Sequence, residues 1–259
     1  MALYCQLQIK FMSLIAIISD IHGNLPALKT VLDDIKKRNI EEIYCLGDLV
    51  DFAPWTNEVI QLIRDSAIPC IMGNHDERIA FDEDIVPVSK HSPEETYART
   101  TAINITKYVI TEENKQYLSQ LPAEFRLTFE YGGSAKTVLL VHASTNSNDE
   151  YIYESHDQDI VRQMLDDNNA DVLIMGHTHK SYIKAIHKSG HPDKLAINAG
   201  SVGRSREGEP LACYLILDPD SQGIHPQIIK LDYPIEETVE AIRKSKIPDF
   251  YADFLLLQG

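Results

Sequence analysis

Five short apolar runs in this chain each lead into residues of the kinds that bind metals, and that repeated coupling limits the fold more than any other feature. The runs cover residues 14–19, 43–46, 68–72, 138–141 and 172–175. They lead into Asp20-Ile21-His22, Gly47-Asp48, Gly73-Asn74-His75-Asp76, His142 and Gly176-His177-Thr178-His179. Short continuous runs rich in Ile, Val and Leu fit strands buried on both faces. In open α/β sheets, ligand sites gather at the carboxyl ends of the strands. The five segments therefore bring Asp20, His22, Asp48, Asn74, His142, His177 and His179 to one rim, the donor set of a two-metal hydrolytic centre. Taken singly, each piece is an ordinary turn residue or helix cap. Their joint occurrence, in order and each at a strand end, sets that reading aside.

The 259 residues suffice for one large α/β domain, expected to span 1–259. The formal net charge of −15 opposes non-specific binding to nucleic acid, which needs phosphates neutralised by Lys and Arg. No run of Lys or Arg offers a groove to a long polyanion, so a small partner is expected. Cys5, Cys45, Cys70 and Cys213 form no Cys-x-x-Cys pair. They read as small buried hydrophobes of a reducing compartment, which points to the cytoplasm. No apolar stretch approaches the ~20 residues of a membrane span. Lys10 and the apolar residues after it resemble a weak signal-peptide core. The run passes straight into Asp20 and His22 with no small-residue cleavage site, so it reads as the first strand. Met12 stands just before that strand as an alternative start, which makes residues 1–11 a candidate upstream extension.

A helix is expected after Asn24-Leu25-Pro26, with Asn24 as cap and Pro26 in the first turn. Leu28, Val31, Leu32 and Ile35 recur there at helical spacing. A second helix over 57–65 precedes the run at 68–72. Two β-α-β units in succession imply a parallel sheet. Residues 77–121 break that rhythm. Ser92-Pro93-Glu94-Glu95 and Thr111-Glu112-Glu113-Asn114 are helix starts, so a helical excursion is expected beside the site, either as a specificity wall or as packing over a sheet. His91 either reaches the site from there or lies on the surface. Strands follow at 125–129 and 136–141, around a Gly132-Gly133 turn. A helix over 157–166, strands at 182–187, 195–198, 212–217 and 227–231, and a helix over 234–243 complete the expected order.

In this order the five blocks resemble the signature of the calcineurin-like metallophosphoesterases. The stretches Asp48-Leu49-Val50-Asp51-Phe52-Ala53-Pro54, Asn198-Ala199-Gly200-Ser201-Val202-Gly203 and Glu207-Gly208-Glu209-Pro210 are similar to the compact prokaryotic, phosphodiesterase-like branch. The chain departs from the family pattern where Ala143 follows His142 in place of Gly. It departs again at Ala199 and Ser205, where that branch commonly has Pro, and after Asp51, where neither Arg nor Gly follows. The resemblance implies an α/β fold, a four-layer α/β/β/α sandwich of two mixed sheets; strand count alone also allows one mixed sheet. It implies two divalent transition-metal ions. Asp20, His22 and His179 hold one, Asn74, His142 and His177 hold the other, and Asp48 bridges. Carboxylate, amide and imidazole donors together suit Mn, Fe, Ni or Zn better than Ca, and select poorly among them. The resemblance further implies attack by a hydroxide held between the ions. His75 then stabilises or protonates the leaving group, Asp76 orients His75, and Asn24 and Arg206 contact the phosphoryl group. The expected activity is hydrolysis of small phosphodiesters or nucleotides. A phosphomonoesterase, including a protein or dinucleoside-polyphosphate phosphatase, is the enzymatic alternative. A non-catalytic scaffold is the third reading, disfavoured because the ligand set is whole.

Overall fold

The computed structural model describes residues 4–9, 13–89, 91–131, 134–220 and 223–257. In chain order it contains β1 (Tyr4–Ile9), β2 (Ile15–Ile18), α1 (Leu25–Lys37), β3 (Glu42–Cys45), α2 (Thr56–Asp65), α3 (Asn74–Ala80), α4 (Pro93–Val109) and α5 (Glu112–Ser119). Then follow β4 (Glu124–Tyr131), β5 (Ser134–Val141), α6 (Gln158–Asp167), β6 (Val172–Met175), β7 (Tyr182–Ile186) and β8 (Lys194–Asn198). The last elements are β9 (Ala212–Pro219), β10 (Ile224–Leu231), α7 (Ile235–Lys244) and α8 (Phe250–Leu256). Among the described residues the strands form two mixed sheets, one in the order β1-β4-β5-β6-β8-β7 and one in the order β10-β9-β2-β3.

Alternate residues of the central strands serve different cores, which explains why those runs are apolar throughout. Ile15 and Ile17 of β2 enter the core between the sheets, with Val138 and Leu140 of β5 and Val172 and Ile174 of β6. Ala16 and Ile18 point the other way, onto Leu28, Val31 and Ile35 of α1 and Val59, Ile60 and Ile63 of α2. On the far side, Leu139, Leu173 and Met175 pack against Val161, Met164 and Leu165 of α6. The period-2 side-chain alternation of a strand thus generates four layers, α/β/β/α. A smaller core joins α4, α7 and α8 around Phe52. No helix among the described residues is long and apolar enough to cross a membrane.

Three elements differ from expectation. Residues 68–72 do not pair as a full strand; Cys70 makes a single parallel bridge with Cys45. Pro69 has no N–H to give a ladder, so it contributes only its carbonyl, to Cys45 N at 2.9 Å. The short α3 begins inside the Gly73-Asn74-His75-Asp76 block, ahead of the expected excursion. Within the candidate extension, β1 lies at a sheet edge, parallel to β4. The Gly132-Gly133 turn lies outside the described residues.

Topology now places the site. β2 and β3 run parallel in one sheet, and β5, β6 and β8 run parallel in the other. Their carboxyl ends meet at one rim, stitched by Gly176 N to His142 O at 2.8 Å, Val202 N to Ser19 O at 2.9 Å and Asp20 N to Gly47 O at 3.0 Å.

Candidate metal centre

The loops after these strands bend at once, and they do so in strained backbone. Asp20, His22, Asp48, Asp51, Phe52, His177 and His179 all have positive φ, between 51° and 73°. Each non-glycine residue there costs about 1–3 kcal/mol, a strain that tends to collect at functional sites. Two glycines are demanded by close approach. A Cβ on Gly73 would overlap Asp48 Oδ1, and one on Gly176 would overlap Ser19 Oγ and Asp20 Oδ2.

The bends bring all seven expected donors together. Asp20, His22, Asp48 and His179 form one buried group, and Asp48, His142 and His177 form a second. Asn74 Oδ1 lies 3.1 Å from His142 Nε2 and 3.1 Å from His177 Nδ1, so it belongs with the second. Asp48 stands between them: its Oδ2 is 3.6 Å from His22 Nε2 and 3.4 Å from His142 Nε2. Its Oδ1 accepts from His75 N at 2.8 Å.

Backbone carbonyls fix the tautomer of each imidazole. His22 Nδ1 donates to Val50 O at 3.0 Å, His142 Nδ1 to Leu46 O at 2.8 Å and His179 Nδ1 to Arg204 O at 2.7 Å. His177 donates through Nε2, to Asp149 O at 3.1 Å. A carbonyl can only accept, so in each neutral ring the other nitrogen turns a lone pair into the cluster. The consequence is clearest at His22 and His179, whose Nε2 atoms sit 3.0 Å apart with no proton between them in these tautomers. Asp20 Oδ1 lies 3.1 Å from the same His179 nitrogen and has no hydrogen bond, although it is buried. Its Oδ2 is anchored by Ser19 Oγ at 2.6 Å and His177 N at 2.9 Å. Acceptors packed against acceptors in a buried pocket repel unless a cation joins them. With no cation in place, Asp48 draws a proton onto one ring instead. Burial opposes charge on His142, yet the carboxylate of Asp48 pushes it up to about 10. Burial, and then His142, push His177 down to about 3. The donor set fits divalent metal ions.

Two expected roles are corrected by the geometry. Asp76 does not orient His75. Its Oδ2 accepts from Asp48 N at 2.7 Å and Gly73 N at 3.1 Å, and its Oδ1 accepts from Leu49 N at 2.9 Å. Neighbouring helical residues point in different directions, so position 76 cannot face as position 75 does. The partner of His75 is Asp51, whose Oδ2 lies 2.5 Å from His75 Nδ1. Asp51 follows Asp48 by three residues, and that Gly-Asp-x-x-Asp spacing was the available signal. The second correction concerns Asn24, which is 1% exposed. It caps α1 through Ala27 N, donates to Gly203 O at 2.9 Å and accepts from Thr238 Oγ1 at 2.9 Å. Its amide is spent on structure, which removes it as a phosphoryl contact.

Above the cluster opens a cavity of about 500 Å³. Arg206 and His91 line it, as do residues the sequence did not single out: Arg78, Arg99, Arg204 and Tyr151. Tyr151 sits 4.2 Å from the His177 ring and stacks on Tyr153 at 5.8 Å.

A family description, the calcineurin-like phosphoesterase superfamily domain, matches residues 13–222 of this chain. An uncharacterized protein of Methanocaldococcus jannaschii is 34% identical over 257 residues, covering 95% of this chain and 98% of that protein. The structure is similar to that of a metallophosphoesterase from Sphaerobacter thermophilus, with TM-score 0.74 and 27% identity over 96% of this chain and all 100% of the other. A hypothetical protein from Pyrococcus horikoshii OT3 shares the fold at TM-score 0.76 and 20% identity, with 96% and 99% of the two chains covered.

Proposed function

This chain belongs to the calcineurin-like phosphoesterase superfamily of metal-dependent phosphoester hydrolases, and we propose from that premise that it is a two-cation phosphodiesterase for small substrates, nucleotides among them. The observation that carries the reading is the pair of donor groups sharing Asp48. In this reading Asp20, His22 and His179 hold one divalent ion, Asn74, His142 and His177 hold the other, and Asp48 serves both. Mn, Fe, Ni or Zn suits such donors. When bound, such ions would supply a nucleophilic water near neutral pH and polarise the phosphoryl group.

The chain's own residues do the rest. His75 Nε2 has no hydrogen-bond partner among the described residues, and the residue lines the cavity. It holds the proton that the departing oxygen needs. Asp51 accepts the hydrogen bond from Nδ1, which fixes the ring. Phe52, 4.9 Å from the His75 ring, closes one side of the pair. Asp76 holds the amides of Asp48 and Leu49, and so keeps the shared carboxylate in place. Arg206 reaches the phosphoryl group from the rim. The cavity has the size of a small-ligand site, and α4 with residues 83–89 walls it against a duplex. The stacked Tyr151–Tyr153 pair beside His177 offers an aromatic ledge to a base. Buried free Cys45, Cys70 and Cys213 suit the cytoplasm.

The test is a panel of mono- and diesters assayed with Mn, Ni, Zn and Mg. Bis-p-nitrophenyl phosphate should be cleaved with Mn or Ni, faster than single- or double-stranded nucleic acid. Faster degradation of nucleic acid would reverse the small-substrate reading.

A further inference from the structure

Four arginines line the cavity over the metal-ligand cluster, in a chain whose net charge is −15. Arg78 comes from α3, one turn beyond His75, and Arg99 comes from α4. Arg204 and Arg206 follow β8, and their backbone grips His179: Arg204 O accepts from His179 Nδ1, and Arg206 N donates to His179 O at 3.1 Å. Cavity carboxylates do not neutralise them. Glu83, Asp84, Glu95 and Asp149 also line the space, yet none forms an ion pair with these arginines among the described residues. Glu95 instead faces His91 at 3.5 Å.

Their donors are left over. Arg78 Nη1, Arg204 Nε and Arg206 Nε are buried without a hydrogen-bond partner among the described residues. Arg204 is 6% exposed, and its guanidinium is stacked 4.4 Å from the ring centres of both Phe52 and Phe254. Stacking holds the plane and leaves the N–H edge without an acceptor. Arg99 spends one donor on Val86 O at 3.0 Å. A buried donor left unpaired is costly, more so when charged, and clustering like charges adds to that. Burial, and then the neighbouring Arg206, hold Arg204 down at about 10. Burial, and then Arg78, hold Arg99 below its ordinary value. A fold that breaks a local rule this way does so where a ligand supplies the missing partner.

A single phosphodiester group is too small a partner. It has two non-bridging oxygens, which bound cations would engage, whereas each guanidinium carries five N–H donors. Arg204 and Arg206, flanking His179, are placed to share that scissile group. Arg78 and Arg99 line the cavity from α3 and α4, and a single phosphorus leaves them no acceptor. We propose that Arg78 and Arg99 bind a second phosphoryl group of the substrate, joined to the scissile one. The preferred substrates are then small esters or anhydrides with two or more phosphoryl groups, of the nucleoside-polyphosphate class, and single-phosphorus diesters are poorer ones. The proposal rests on the phosphoesterase reading for its substrate, but its anion site can be measured apart from turnover.

Calorimetric titration of the full-length protein with tripolyphosphate and with orthophosphate is the first arm. The parent should bind tripolyphosphate at least about tenfold more tightly than orthophosphate, a preference that the paired Arg78→Gln and Arg99→Gln variant should lose. Arg78→Lys with Arg99→Lys keeps both charges and should retain part of the preference, which separates lost recognition from lost folding. The second arm compares kcat/KM for a dinucleoside polyphosphate with that for bis-p-nitrophenyl phosphate. The Gln pair should lose at least about tenfold more on the former, chiefly through KM. Equal loss on both anions and both substrates, or full tripolyphosphate affinity in the Gln pair, would overturn the proposal. Absence of all turnover with an intact tripolyphosphate preference would sink the phosphoesterase reading and leave the anion site standing.

Discussion

On the floor of the cavity, each imidazole of the cluster has a carbonyl that sets its direction, and Asp20 and Asp48 each have one oxygen tied to a backbone amide. On the wall made by α3, α4 and residues 83–89, Arg78 Nη1 is buried with no hydrogen-bond partner among the described residues. The floor is therefore rigid before anything binds, with its unmet demand confined to lone pairs that face one another. The wall has an unmet donor on a cation that lines the cavity. A preorganised set of lone pairs suits a cation, and a loose set of cationic donors suits an anion that arrives and leaves. One cavity thus joins a cofactor floor to a substrate wall.

The largest expected effect strikes the shared floor residue. Asp48→Asn should nearly abolish turnover and lower metal content in both groups, because both face its Oδ2. Two full metal equivalents with normal turnover in that variant would break the division between floor and wall. Gly176→Ala should act next, through sterics alone. The added methyl would displace Ser19 and Asp20, costing about 1–3 kcal/mol of stability and weakening the Asp20 group. Thermal melting and metal analysis of the same sample check both effects together.

His75→Ala should keep its metals and lose ~10²–10⁴-fold in kcat, with a smaller loss for substrates whose leaving groups need no proton. Equal loss across leaving groups would make His75 a positioning residue. Asp51→Asn and Asp76→Ala sharpen the corrected assignment. Asp51→Asn should cost ~10–100-fold in rate with little change in melting temperature. Asp76→Ala should instead cost several kcal/mol, since it strands the amides of Gly73, Asp48 and Leu49 at ~1–3 kcal/mol each. If both variants behaved alike, the Asp51–His75 pairing would lose its support.

The smallest effect is expected on the outer face of the wall. Tyr97 is 70% exposed and Tyr108 is 87% exposed, both on α4. Replacing either with Ser should change stability by less than ~0.5 kcal/mol and leave the wall intact. A larger change, read by melting temperature, would mean that α4 is held from outside as well as from the cavity.

The floor was legible in the sequence because its geometry is local. A buried strand writes a continuous apolar run, and the ligand follows within a residue or two, so Asp20, Asp48, His142 and His177 are found by position alone. Reading by adjacency also produced the error at Asp76, because residues next to each other in a helix diverge. Asp51 belongs to another loop, and only the left-handed turn at Asp48 and Asp51 brings it to His75. The wall was legible only as a helical excursion. Arg78, Arg99 and Arg204 share no spacing and meet through packing between α3, α4 and the loop after β8. Arg204 carries no burial signal in the sequence, yet it is buried and stacked on Phe52 and Phe254. Residues 68–72 read as a strand by composition, but Pro69 reduces the pairing to one bridge.

The central claim is that two cations share Asp48 on the cavity floor. Anomalous scattering from a crystal grown with Mn measures it most directly. Two peaks are expected, one bounded by Asp20, His22 and His179 and the other by Asn74, His142 and His177, with Asp48 between them. A single peak, or peaks away from these residues in a fully active preparation, would contradict the claim.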